Sequence, residues 1–411
     1  MANNNKHTGP NVPALRFPEF SGEWECVPLS TYAKKITEKN KGNKIKNVLC
    51  NSATQGIVPQ SEYFDREIAN NENTDGYYVV RNQDFVYNPR KSVSAPYGPV
   101  NIYNGEDDGI ISPLYLCMKI RGIDKNFLLH YFKSPAWYPY IYQNGDSGVR
   151  HDRVSIKDEV FLAMPVSVPN GDEQRKIAKF LDAINERIAT QSKIIEELKT
   201  LRGALVDAYI NDGNNINENQ TIMSLGAYGC FVRGLTYSSV DVTDNTATTG
   251  VVRSNNLEYG SPVDIKADLV YVTKKPSPEQ MLVNGDIVIC MANGSSSLVG
   301  KASNYQELCR NMTVGAFCGI YRGTHPLTKW IFMSSAYCKA VANAIQGGNG
   351  AIANLHAEDI LSMCFAVPSD YKTITELGKL LSLFDEKLHA AEEQLARFIE
   401  QKKYFLFKMF I

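Results

Sequence analysis

Two long apolar seams, about 200 residues apart, run in the same register through this chain of 411 residues. The first passes through Ile177, Leu181, Ile184, Ile188, Ile195, Leu198 and Leu205. The second passes through Leu377, Leu381, Phe384, Leu388, Leu395, Phe398 and Phe405. Steps of four and three are the a/d spacing of helices that pair along one face. The interruptions match as well: Gln191 aligns with Ala391, and Arg202 with Lys402. A shared pattern with shared breaks identifies an internal repeat of one large unit.

The repeat continues outside the seams. Phe132, Ser134, Ala136 and Trp137 align with Phe332, Ser334, Ala336 and Tyr337. Glu159, Leu162, Met164, Val168 and Pro169 align with Glu358, Leu361, Met363, Val367 and Pro368. Asp84 and Gly98 align with Asp286 and Gly300. Short apolar runs bounded by turn formers, at 79–88 and 286–291, predict strands, and 127–132 and 330–332 predict helices. The expected fold is α+β: two similar mixed α/β globular domains separated by a long antiparallel two-helix coiled coil, related by a pseudo-two-fold axis. The expected boundaries are a flexible N-terminal arm through residue 22, a globular domain at 23–170, a helix at 171–211, a polar linker at 212–221, a second domain at 222–368 and a second helix at 369–411. A helix of this length spans roughly 45–55 Å and has more seam than one small domain can cover, so each helix is the natural partner of the other. Such a rod is suited to holding two readers a fixed distance apart.

Composition narrows the class. The net charge is −1, against a protein that coats nucleic acid without specificity. Segments as apolar and long as the roughly 18–20 residues of a membrane span are missing, and MANNNKHTGP has no apolar signal core, so the chain is read as cytoplasmic. The nine cysteines are odd in number and scattered, which implies buried thiols rather than a disulfide frame or a structural zinc. A phosphate-binding loop, a helicase signature and the Asn-Pro-Pro-aromatic tetrad of adenine methyltransferases are all missing, so no catalytic residues are expected.

PALRFPEFSGEW at Pro13–Trp24 resembles the opening of type I restriction-modification specificity subunits. So does SGVRHDRVSIKDEVFLAMPVSVPNGDEQRKIAKFLDAINERI at Ser147–Ile188, where a short strand with proline leads into a helix opened by Glu173-Gln174. The second copy departs from this, with Ala351-Ile352 in place of Val149-Arg150 and Thr373-Ile374 in place of Glu173-Gln174. The resemblance implies two target-recognition domains that each read half of a bipartite, asymmetric site on double-stranded DNA. It implies docking of two methyltransferase subunits and, where restriction accompanies modification, of two restriction/translocase subunits. S-adenosylmethionine, Mg and ATP would belong to those partners, with no cofactor or metal in this chain and no catalysis by it.

Base edges and phosphates are contacted by Arg, Lys, Asn and hydroxyl side chains. The first domain offers Arg81, Asn88, Arg90, Lys91, Ser92, Ser94 and Tyr97, and a second basic cluster of Arg150, His151 and Arg153. The second domain offers Arg253, Ser254, Asn255 and Asn256, then Asn293, Ser295, Ser296, Ser297 and Lys301, and finally Asn349. A solvated loop is the plainer reading of each residue. The near-neutral charge keeps a second class open, a two-headed coiled-coil scaffold that binds other proteins.

Overall fold

The computed structural model describes residues 11–63, 74–146, 152–213, 216–266, 268–306, 311–345 and 353–411. The chain forms two compact units, Met1–Ser192 with Glu393–Ile411, and Lys193–Glu392. Both division points fall inside a long helix rather than at its start.

The first unit is built on an antiparallel sheet ordered β2 (Ala33–Lys35), β9 (Leu116–Ile120), β6 (Phe85–Tyr87), β7 (Val100–Ile102). Smaller antiparallel pairs join β1 (Glu25–Pro28) to β10 (Pro165–Val168), β3 (Leu49–Ser52) to β4 (Gly56–Pro59), and β5 (Tyr78–Val80) to β8 (Gly109–Ile111). Helices α1 (Gln60–Tyr63), α2 (Lys125–Lys133), α3 (Tyr138–Asn144) and α4 (Asp158–Leu162) lie among them. The central sheet is buried on both faces. Phe85 and Tyr87 of β6 pack with Phe127, Trp137 and Phe161, while Val86 between them packs with Leu49, Val80 and Cys117. Opposite faces with period two explain why these strands read as continuous apolar runs rather than alternating ones.

The second unit has an antiparallel sheet ordered β13 (Gly229–Arg233), β21 (Cys318–Gly323), β17 (Ile287–Cys290), β19 (Ala302–Asn304). A further sheet runs β14 (Val242–Thr243), β16 (Val270–Val272), β15 (Thr249–Val252), β20 (Met312–Val314), with β15 and β20 parallel. Helices α6 (Thr328–Ile331), α7 (Ser335–Ala344) and α8 (Ala357–Ser362) complete it with β18 (Ala292–Asn293), which pairs with β22 (Ala353–Asn354). Ile287 and Ile289 face Trp330, Phe332 and Tyr337, and Val288 and Cys290 face Val252 and Val314.

The two long helices, α5 (Gly171–Tyr209) and α9 (Tyr371–Lys408), contribute to both units. In the first unit the Phe180 and Phe405 rings meet edge-on at 4.9 Å, and the Arg187 guanidinium lies 4.8 Å over the Phe398 ring. In the second unit Lys199 pairs with Glu392 and Arg202 with Asp385. In each unit partner numbers fall on one helix as they rise on the other, so the pairing is antiparallel. Ile177, Leu181, Ile195, Leu198, Leu377, Leu381 and Leu388 are buried, and Ile184, Ile188, Leu205, Phe384, Leu395, Phe398 and Phe405 half-buried. Arg202 donates at 2.6 Å to Asp385, which Lys329 also reaches, and at 2.9 Å to the Gly260 carbonyl. A cation this well matched on a seam selects one axial alignment of the pair.

Two expected boundaries change. Residues 11–22, expected to belong to a flexible arm, are tied down. Arg16 grips the fully buried Glu173 carboxylate at 2.7 and 2.8 Å, Trp24 donates to the same carboxylate, and the Leu15 amide donates to the Lys408 carbonyl. Glu173 therefore serves the N-terminal segment, which explains why the second copy, with Thr373 at this position, needs no acid there. The polar linker is also partly ordered. β11 (Asn211–Asp212) and β12 (Gln220–Ser224) flank β23 (Cys364–Pro368) in a three-stranded sheet. Polar side chains suggested an exposed connection, yet backbone pairing is indifferent to them where they point outward.

Arg16→Met strands a buried carboxylate and should cost about 3 kcal/mol in unfolding free energy, while Arg16→Met/Glu173→Leu should recover most of it; equal losses in both variants, by thermal or urea unfolding, would contradict the pairing. Gly98 lies in the left-handed region at φ +86°, and a Cβ there would sit 2.1 Å from the Asn88 carbonyl oxygen. Gly98→Ala should therefore destabilise the first unit by about 1–3 kcal/mol, measured in the same unfolding experiment.

Candidate nucleic-acid interface

In the first unit β6 ends at Tyr87 and hands the chain to Asn88-Pro89-Arg90. Asn88 is buried, its amide donating to the Asn51 carbonyl at 3.0 Å and its Oδ1 accepting from the Arg90 amide at 3.0 Å. This fixes the loop and leaves Asn88 little capacity for a ligand. Arg90 and Arg153 are opposed on an antiparallel bridge, and the Lys91 amide donates to the Asp152 carbonyl at 2.8 Å. Three cationic residues are thereby brought together on neighbouring strands, with Asp152 only 3.9 Å from Arg90 as a loose counter-charge. Like charges placed opposite one another are unfavourable until an anion joins them. The Nε of Arg153 is buried without a hydrogen-bond partner among the described residues, a donor that an anion could satisfy.

Arg90, Lys91 and Ser92 line a cleft of about 490 Å³ with Gln60, Tyr77 and Tyr115. Ser92 and Ala95 close a tight turn whose tip exposes Val93 and Ser94. Two other candidates do not face this cleft. Arg81 is bound by Glu38 at 2.7 and 2.8 Å and by Asp108 at 3.1 Å, and its hydrogen bonds to Glu38, aided by its charge, hold that carboxyl below the usual range. Tyr97 packs its ring 4.9 Å from Tyr138. Arg150 and His151 lie outside the described residues, as does Asn349.

The second unit presents different chemistry at matching places. Arg253 follows β15, and its guanidinium donates to the Asp268 carbonyl and carboxylate at 3.0 and 3.2 Å, with Nε buried and unpartnered among the described residues. Asn256 is a buried structural residue, accepting from the Arg253 amide and donating to the Asp264 carbonyl. Asn255 is exposed. The Asn293 amide donates to Ser254 Oγ at 3.2 Å while its Oδ1 accepts from the Ser295 amide, and the Ser295 and Ser297 hydroxyls are 2.8 Å apart with Ser296 exposed between them. Lys301 is drawn aside to Glu258 at 3.3 Å. On β22, opposite Ala292, Asn354 carries a buried Oδ1 with no partner among the described residues. The first unit thus gathers cations and the second gathers amides and hydroxyls.

Sequence reasoning missed Asn354, Val93 and Phe317. Phe317 is exposed, and its carbonyl accepts from the Met291 and Ala292 amides beside Asn293. An apolar residue in a strand-rich stretch reads as core, and only the backbone pairing reveals it at a turn. The eight described cysteines are all free, and no group of metal-ligating side chains forms among the described residues. None of the described helices is long and apolar enough to cross a membrane.

The family model for the type I restriction modification DNA specificity domain matches residues 23–200. The chain is 27% identical over 192 residues to the EcoKI specificity subunit of Escherichia coli K12, a match covering 45% of this chain and 40% of that protein. It is 36% identical over 94 residues to the StySPI specificity subunit of Salmonella potsdam, covering 22% and 20%. These alignments span well under two thirds of the relatives' length. The fold is similar over 97% of this chain and 99% of the type I restriction-modification S subunit from M. genitalium, at TM-score 0.52 and 15% identity. It is also similar, at TM-score 0.55 and 12% identity over 94% of this chain and 97% of the other, to a chain from a structure of type I R-M complex assembly and conformational transition. Residues 23–200 thus match the type I restriction modification DNA specificity domain, and the fold along the chain is similar to that of solved type I S subunits.

Proposed function

We propose that this chain is the DNA-reading, non-catalytic subunit of a type I restriction-modification complex. Each unit reads one half of a bipartite, asymmetric site, and the chain docks two methyltransferase subunits and, for cleavage, two restriction/translocase subunits. S-adenosylmethionine, Mg and ATP belong to those partners. The observation that carries the reading is the specificity domain over residues 23–200, which includes the whole cationic cleft of the first unit.

The local chemistry supports it. Arg90, Lys91 and Arg153 are suited to phosphates and to the acceptor edge of guanine, where Arg and Lys bind best. Asn293, Ser254 and the 295–297 hydroxyls are suited to mixed donor and acceptor edges such as adenine's. Heads with different side chains at equivalent turns prefer different sequences, which makes the combined site asymmetric. Local rather than overall charge supplies the attraction, so a net charge of −1 is compatible with specific binding.

The test is binding of the chain, assembled with an adenine methyltransferase subunit, to duplex DNA across a salt series. Arg90→Ala/Lys91→Ala should weaken binding about tenfold and lower the slope of log K against log salt by roughly 1–2, each lost phosphate contact contributing about 0.9. An unchanged slope and affinity would remove the cleft from the interface, and sequence-blind binding by the wild-type complex would remove the function.

A further inference from the structure

Beneath the cationic cleft runs a chain of buried polar side chains. Lys133, at the end of α2, donates its ammonium hydrogen to Asn101 Oδ1. Asn101, on β7, donates to Asn51 Oδ1 at 2.6 Å and to the Ser52 carbonyl at 2.9 Å. Asn51, on β3, donates to the Val86 carbonyl at 2.8 Å and the Pro99 carbonyl at 3.3 Å. Its own carbonyl accepts from Asn88, which in turn accepts from the Arg90 amide. Asn51, Ser52, Asn88 and Asn101 are all buried.

The direction of this chain is dictated by its first member. An amide group can be turned either way, but a lysine ammonium only donates. Lys133 therefore forces the oxygen of Asn101 toward itself, which leaves the Asn101 amide hydrogens for Asn51 and the Asn51 hydrogens for the two strands that flank the reading loop. Hydrogen bonds aligned in one direction strengthen one another. Lys133 makes no ion pair with a carboxylate among the described residues. The charged groups around it are Lys402 on α9, which disfavours its charge, and the His130–Asp182 pair between α2 and α5. Burial, reinforced by Lys402, lowers the Lys133 amine to about 8. Keeping a cation in such a place is costly, and its hydrogen bond to Asn101 offsets only part of that cost.

The fold does not require it. Asn101 stands opposite Val86 in the pairing of β6 with β7, and in the second unit Ser303 stands opposite Val288 in the pairing of β17 with β19. Ser303 there donates to the Glu258 carbonyl and accepts from the Glu258 amide, and the position matching Lys133 is Met333. The same sheet is thus built without a lysine or an amide relay.

We propose that Lys133 is a positioning residue for sequence reading by the first unit: through Asn101 and Asn51 it sets the place of Asn88 and so of Arg90 and Lys91 in the cleft. This deepens the functional reading above and rests on it.

Two measurements on the assembled complex with its methyltransferase subunits test the inference. The first needs no DNA sequence. Hydrogen exchange at 88–92 should be at least tenfold faster in Lys133→Met than in wild type, with α5 and the second unit unchanged. The second is binding to duplexes altered in one half-site at a time. Lys133→Met should lose at least tenfold discrimination in the half-site read by residues 23–170, and none in the other. In wild type that discrimination should fall as pH rises through about 8, because the neutral amine is the weaker donor, and Lys133→Met should lack this dependence. Exchange at 88–92 within twofold of wild type, or equal loss in both half-sites, would overturn the inference. A wild type that reads neither half-site, yet shows the local change in exchange, would instead fail the functional reading alone.

Discussion

Antiparallel pairing of two long helices is the constraint on which each unit depends. In the first unit the last turn of the chain completes a core that its beginning opens: Leu406, Met409 and Phe410 are packed among Trp24, Phe127, Tyr131, Ile177 and Leu181. In the second unit Val206 and Ile210, from the end of α5, share a core with Ile374, Leu377 and Leu381 from the start of α9. The first unit completes its core with a stretch distant in sequence, and the second with the helical segments that flank its globular region. The seam is therefore both a helix–helix contact and the floor of each core, and a slip along it would disturb two hydrophobic clusters. The Arg202–Asp385–Lys329 cluster opposes such a slip in the second unit.

On that floor the two units place loops at equivalent strand ends and fill them differently. The pair opposed across the first loop is Arg90 and Arg153, and in the second unit Asn293 with Ala353 and Ala292 with Asn354 stand on the corresponding short ladder. The first choice concentrates positive charge that an anion relieves. The second leaves amide capacity, including an unpartnered oxygen on Asn354 among the described residues. Unlike contact chemistry in the two units is what the proposed reading of two unlike half-sites requires.

Much of this was legible before any coordinates. Helix starts, seam positions and the strands around 79–88 and 286–291 follow from periodicity, because burial on one face leaves a regular imprint on the sequence. The basic stretches drew attention to Arg90, Lys91 and Arg153. What remained hidden depends on partners distant in sequence. Arg81 looks as available as Arg90 until Glu38 and Asp108 are seen to hold it. Asn88 and Asn256 look like loop contacts until their side chains are seen to cap the backbone beneath. The anchoring of residues 11–22 turns on Arg16 meeting an acid 157 positions away, a pairing that no local pattern encodes.

The central claim is that each unit reads its own half of one target. The most direct measurement is methylome sequencing of cells that carry the chain with an adenine methyltransferase subunit, before and after residues 23–170 are exchanged for those of a type I specificity subunit. The account predicts adenine methylation at a single bipartite motif, of which one half changes on exchange and the other stays the same. A contiguous motif, or a change in both halves at once, would contradict it.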